Sequence, residues 1–245
     1  MNYEWSWRIF LETTPDGSTT YLGAFFVGLK WTLATAMCAW VIALFLGTII
    51  GTLRTMPNKW VVRLTNAYIE LFRNIPLLMQ MFLWYFVLPE LLPTAAGNWV
   101  KNIWNPPFVT AVICLGLFTS SRVAVQVSAG IQTLPRGQKM AGTALGLTLG
   151  QTYRYILLPM AFRVIMPPMT SEFLNIIKNS SVALTISLVE LTQSAYSMNE
   201  FTFKVFEAFS AATLIYILVN IIVVFLMRRL EKAIAIPGFS AQGGR

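Results

Sequence analysis

The sequence predicts an all-α integral membrane protein, on three observations. Only 11% of the 245 residues are charged and 56% are hydrophobic, whereas soluble domains carry about 25% charged residues. The mean hydropathy is +0.62. The apolar residues gather in runs that reach the roughly 20 residues a helix needs to cross hydrocarbon. Histidine is absent, and Cys38 and Cys114 sit inside apolar runs, where isolated thiols act as small hydrophobes. No residues have metal-ligand spacing, so neither a metal nor a cofactor is expected. A net charge of +8 would suggest nucleic acid for a soluble chain. Here the basic residues flank apolar runs, which marks the cytoplasmic side of a lipid bilayer instead.

Five spans are expected within one domain, 1–245: about 22–53, 64–92, 106–134, 164–191 and 208–229. Residues 1–20 mix Glu4, Arg8, Glu12 and Asp16 and lack the basic start and short apolar run of a cleavable signal. Trp5, Trp7 and Tyr21 suit an interfacial aromatic belt. The first span is uncharged from Trp31 to Leu53. Its Gly47 and Gly51 have the spacing that lets helices pack closely, or they reflect the general abundance of glycine in such helices. The second span carries Glu70 and Arg73 and is interrupted by Pro76. The third opens on Pro106 and Pro107, favoured at helix starts, and holds Arg122, read as snorkelling to headgroups. The fourth contains Pro167, Pro168, Glu172 and Lys178, and the fifth stops at Arg228 and Arg229.

Basic residues orient the spans. Arg54, Lys59 and Arg63, then Arg136, Lys139, Arg154 and Arg163, then Arg228, Arg229 and Lys232 fall in one set of connections. The other set holds only Arg8, Lys101 and Lys204. The positive-inside bias puts the amino terminus outside and the carboxyl terminus in the cytoplasm, and an odd number of spans satisfies it.

The connection 135–160 lies between two spans yet is too polar to be one. Ala141, Gly142, Thr143, Ala144 and Gly146 crowd its first half. A short helix, a turn at Gly146 and a second helix closing at Pro159 are expected. The small residues would let a partner's backbone approach, as they do wherever helices meet tightly.

Polar residues also recur inside the fourth span. Glu172, Asn175 and Asn179 share a helical face, with Lys178 three beyond Asn175 and Thr185 four beyond Ser181. Ionisable groups at membrane depth are costly and face a protein interior or a water path. A cation and an anion on adjacent turns suit an amino acid, with its carboxylate and ammonium. The stripe either lines a path or contains a structural Glu172–Lys178 pair. Glu70 and Arg73, three apart, are placed to pair as an interfacial anchor. No GxxxxGK[ST] phosphate loop occurs, so ATP-derived energy would have to come from another subunit, and no enzyme activity is expected.

Ala141, Gly142, Gly146, Ile156, Leu158 and Pro159 reproduce the spacing of the E-A-A-x3-G-x9-I-x-L-P loop of ATP-binding-cassette importer permeases, with Met140 in place of the glutamate and Gly142 in place of the second alanine. The whole chain resembles the permeases of the polar amino-acid uptake family. The segments E-W-S-W-R-I-F-L, T-T-Y-L-G, E-L-F-R-N-I-P-L, G-L-F-T-S-S-R, L-P-R-G-Q and P-P-M-T-S-E look most like glutamate/aspartate importers. The resemblance implies a five-helix type I (MetI-like) permease in the bacterial inner membrane that pairs with itself or a sister permease. It also implies ATPase subunits inside and a periplasmic amino-acid-binding protein outside. It assigns ATPase coupling to Gln138, Met140, Ala141, Gly142, Ala144, Leu145 and Gly146, and the substrate path to Glu172, Asn175, Lys178, Asn179, Ser181 and Arg73. The competing reading is a channel or ion-coupled transporter that works alone, which has no use for the loop. A non-transporting scaffold is a third.

Overall fold

Backbone donors and acceptors in hydrocarbon have no water to bond, so apolar runs satisfy them internally as helices. The computed structural model describes residues 3–234; the expected cytoplasmic carboxyl terminus lies outside the described residues. In chain order come α1 (Tyr21–Leu53), α2 (Lys59–Asn74), α3 (Leu77–Leu91), α4 (Thr94–Lys101), α5 (Pro106–Thr133), α6 (Arg136–Ala144), α7 (Leu149–Thr152), α8 (Leu158–Asn179), α9 (Leu191–Thr202) and α10 (Val205–Ile234). The described residues contain no strand, only a single bridge between Thr13 and Thr20.

α1, α5 and α10 are long and apolar enough to cross a membrane. The expected second span is instead two helices, α2 and α3, bent by 99° at the break between them, the geometry of a broken span or of a re-entrant loop. Pro76 causes the break: a pre-proline residue is pushed out of the helical region, and Ile75 is extended at φ −92°, ψ 127°. α8 has 22 residues, enough to span hydrocarbon, but it carries Arg163, Glu172 and Lys178.

Two other prolines do not end their helices. Leu88–Pro89 follows a π turn over Leu83–Val87, and Leu158–Pro159 follows one over Tyr153–Leu157. A proline ring collides with the carbonyl four residues back and brings no N–H to it. The wider turn moves that carbonyl aside, so the helix continues. The helix expected to close at Pro159 therefore runs on into α8.

By contact density the chain forms two compact units, one drawn from residues 3–39, 76–115 and 175–222, the other from 40–75, 116–174 and 223–234. In the first, Ile9, Tyr21 and Phe25 pack with Leu191, Ala195, Met198, Ala208 and Ala212. The fully buried Glu190 caps α9: its carboxylate accepts the Thr192 and Gln193 N–H groups at 2.9 and 2.7 Å and the Tyr216 hydroxyl at 3.0 Å. Glu207, also fully buried, accepts the Ser6 N–H at 2.7 Å and the Tyr3 hydroxyl, tying the amino-terminal segment to α10. A buried carboxylate is tolerable when several donors surround it.

In the second unit α1 lies against α5 at its glycines. A Cβ on Gly47 would meet the Ser120 carbonyl at 2.9 Å, and one on Gly51 the Ala124 carbonyl at 2.6 Å. Close packing, not mere abundance, accounts for both. The Arg54 guanidinium donates to Asn66 at 2.8 Å and Ser128 at 3.1 Å, binding the end of α1 to α2 and α5. Large apolar side chains face outward along α1 (Phe26, Met37, Val41, Phe45, Ile49) and α10 (Leu214, Leu218, Ile221, Phe225), while Thr32, Thr35, Ser120 and Ser121 are buried. Outward rows of large apolar side chains of this kind suit lipid rather than water.

Replacing Glu190 by alanine removes the cap and one partner of the Tyr216 hydroxyl, which keeps its 3.1 Å contact with the Thr192 hydroxyl. A loss of about 3 kcal/mol is expected, with Glu190→Gln losing about half of that, measured by thermal unfolding of the purified protein in detergent.

Candidate functional site

The residues assigned to coupling come together on α6 and the turn after it. α6 ends in two hydrogen bonds: Leu147 N–H donates to the Gly142 carbonyl and Gly146 N–H to the Thr143 carbonyl, each at 3.0 Å. This is the Schellman pairing, which requires a left-handed residue after the helix. Gly146 supplies it at φ +73°, with open space around it. Its constraint is backbone conformation, not room.

Gly142 has the opposite constraint. It is buried with ordinary helical geometry, and a Cβ there would meet Thr152 Cγ2 at 2.8 Å and Oγ1 at 2.9 Å. Glycine at the motif's second alanine position lets α6 lie directly on α7. α7 is fixed in turn by a capping box, Thr148 accepting the Gln151 N–H at 3.3 Å while the Gln151 side chain accepts the Thr148 N–H at 2.8 Å. The T-x-x-Q spelling was present in the sequence, and it is a known helix-start signal.

With Gly142 facing inward, Met140, Ala141, Ala144 and Leu145 face outward. Met140 is 69% exposed and Leu145 76%. Gln138 is half-buried, and its side-chain carbonyl has no partner. The segment is moored in its own unit by Tyr153, whose hydroxyl donates to the Thr55 carbonyl at 2.9 Å and accepts from the Thr55 hydroxyl at 3.1 Å.

The polar residues of α8 separate in character. Glu172 is buried and paired with Arg122 of α5, Nε to Oε2 at 2.8 Å. Arg122 therefore does not simply snorkel, and Glu172 does not pair with Lys178. Only proximity in three dimensions could reveal this pair, since its members are fifty positions apart. Lys178 is exposed and makes no ion pair among the described residues; nor do Glu70 and Arg73 pair with each other. Asn175 and Asn179 are half-buried, and α8 ends at Asn179. Ser181 lies in the 3-10 turns Ser180–Ile186, with its hydroxyl donating to the Lys178 carbonyl at 2.7 Å. With three residues per turn there, Ser181 and Thr185 do not stack as α-helical spacing suggested.

Described residues that form helices without a strand, with large apolar side chains turned outward and a few charges placed inside the spans, describe a multi-pass membrane protein. The family described as binding-protein-dependent transport system inner membrane components matches residues 43–236. The chain is 48% identical over 241 residues to the glutamate/aspartate import permease protein GltJ of Escherichia coli strain K12, covering 97% of this chain and 98% of that one. It is 31% identical to a probable glutamine ABC transporter permease protein, GlnM of Bacillus subtilis, over 89% of this chain and 96% of the relative. The crystal structure of an amino acid ABC transporter with histidines superposes with a TM-score of 0.72 at 28% identity, covering 87% of this chain and 95% of that one. An inward-facing MetNI methionine ABC transporter shares the fold, with a TM-score of 0.73 at 17% identity over 88% and 98%. The chain belongs to the family of binding-protein-dependent inner membrane transport components. It is a non-catalytic permease subunit of an ABC transporter.

Gly142→Ala overpacks the α6–α7 contact, and a cost of about 1–3 kcal/mol is expected. Limited proteolysis of the 135–160 segment should report it, and Thr152→Ala should restore protection. Breaking the Arg122–Glu172 pair with Glu172→Ala should cost about 2 kcal/mol, because the carboxylate is buried while the guanidinium is partly solvated. A double-mutant cycle with Arg122→Ala measures the coupling.

Proposed function

We propose that this chain is a permease subunit of an ATP-driven importer that moves polar amino acids, glutamate and aspartate above all, from the periplasm into the cytoplasm. The observation that carries the reading is the outward apolar face of Met140, Ala141, Ala144 and Leu145, held by two glycines with different constraints. Exposed apolar side chains on an ordered turn mark a protein interaction site. On this reading Gln138, Met140, Ala141, Gly142, Ala144, Leu145 and Gly146 meet the ATPase subunit in the cytoplasm. The amino terminus is periplasmic, and a binding protein delivers substrate there. A second permease, identical or sister, completes the pair. The relatives named as glutamate/aspartate and glutamine permeases support the amino-acid class.

ATP-driven closure of the ATPase subunits would draw the two coupling turns together. α6 rests on α7, and the backbone continues through the π turn into α8, so displacement of α6 tilts α8. Lys178, Asn175, Asn179, Ser181 and Arg73 would then border the alternating path. Lys178 offers an exposed cation to the substrate carboxylates. Glu172, its charge met by Arg122, would act from beside the path rather than as a ligand.

With a cysteine at Met140 or Leu145, crosslinking to cysteines on the ATPase surface is expected in the assembled complex, faster in one nucleotide state than the other. Lys178→Ala should lower glutamate uptake by about tenfold in proteoliposomes while the complex still assembles. Absence of any crosslink along 138–146, or uptake that proceeds without ATP, would overturn the reading.

A further inference from the structure

On the side of the first unit where the amino-terminal segment meets α9 there is a cavity of about 600 Å³. Ligand pockets typically have volumes of this order. One wall is a tight turn. Thr13 bridges Thr20, Gly17 sits at φ +67°, and Thr14 N–H donates to the Thr19 carbonyl at 2.8 Å. The opposite wall is α9, contributing Gln193, Ser197, Met198 and Phe201; the floor includes Ala24 and Val27 of α1. α9 is held rigidly behind this wall by the Glu190 cap and by the Ser194 hydroxyl, which donates to the Ala24 carbonyl at 3.1 Å.

The lining contains one charged group, Asp16, and no cation. The Asp16 carboxylate accepts the Thr14 hydroxyl at 2.5 Å and the Ser18 hydroxyl at 2.8 Å. These donors hold it below its usual value of 3.8, so it stays anionic at neutral pH. In a chain of net charge +8, this is a negative rim on an apolar hollow. The lining holds no cation to answer the two carboxylates of an acidic amino acid. A lysine or arginine side chain fits both features: its methylene stem covers apolar surface while its head keeps a polar partner.

We infer that this cavity is a docking pocket for a lysine or arginine side chain projecting from the periplasmic binding protein. The inference rests on the proposed function, which places the amino-terminal segment and α9 outside. It adds a specific contact by which delivery is recognised. A solvent-accessible charge pair of this kind tunes the association of two proteins more than the chemistry that follows.

The test uses the complete permease–ATPase complex in nanodiscs, with ATP hydrolysis followed as the purified, glutamate-loaded periplasmic binding protein is titrated. Ser197→Trp fills the cavity from the α9 wall, and Asp16→Lys reverses its rim. Both should raise the half-saturating concentration by about tenfold and leave basal and maximal rates unchanged. Because Asp16 also ties its own turn through Thr14 and Ser18, Ser197→Trp is decisive if that turn loosens. Two variants that titrate like the parent overturn the pocket and leave the transport reading standing. A fall in maximal rate at unchanged half-saturation also overturns it, since that is a structural defect. A parent complex that the binding protein does not stimulate overturns the transport reading itself.

Discussion

Backbone carbonyls deprived of their donor by proline set the terms for this structure. In hydrocarbon such a group finds no water, so the chain must break there, widen there or find another partner. At Pro76 it breaks, and an amphipathic helix, α2, is separated from α3. At Pro89 and Pro159 it widens into a π turn and goes on. Pro167 and Pro168 are carried within α8. The second solution matters most, because it joins α7, on which α6 rests, to α8 without a break.

That continuity gives the small-residue segment a mechanical meaning on the proposed reading. A loop that flexed would absorb a push from a partner. Here α6 is closed by Gly146, pressed onto α7 at Gly142 and anchored through Tyr153 to the end of α1. Little slack remains between the exposed face of Met140 and Leu145 and the start of α8. The charge missing at position 140 fits this picture, since the exposed contact is apolar and leans on shape rather than an ion pair.

Charge is used sparingly and each buried instance is answered. Glu190 holds α9 with three donors, Glu207 holds the amino-terminal segment, and Glu172 meets Arg122. These carboxylates belong to the architecture. Lys178 differs from these in being exposed without an ion pair among the described residues, as is Arg163 near the start of α8.

The sequence by itself determined the membrane class, the apolar runs, the glycine and proline punctuation and the spacing of the small-residue turn. These are local properties: hydropathy, missing N–H groups and φ preferences act within a few residues of where they are written. It could not decide that Pro159 would be absorbed, because that depends on a π turn five residues long forming just before it. Nor could it choose between the partners open to Glu172, or tell close packing from abundance at Gly47 and Gly51. Those outcomes turn on which surfaces meet across long stretches of chain. Tertiary structure decided them because burial leaves a carboxylate or a glycine only the neighbours that folding brings within a few ångströms.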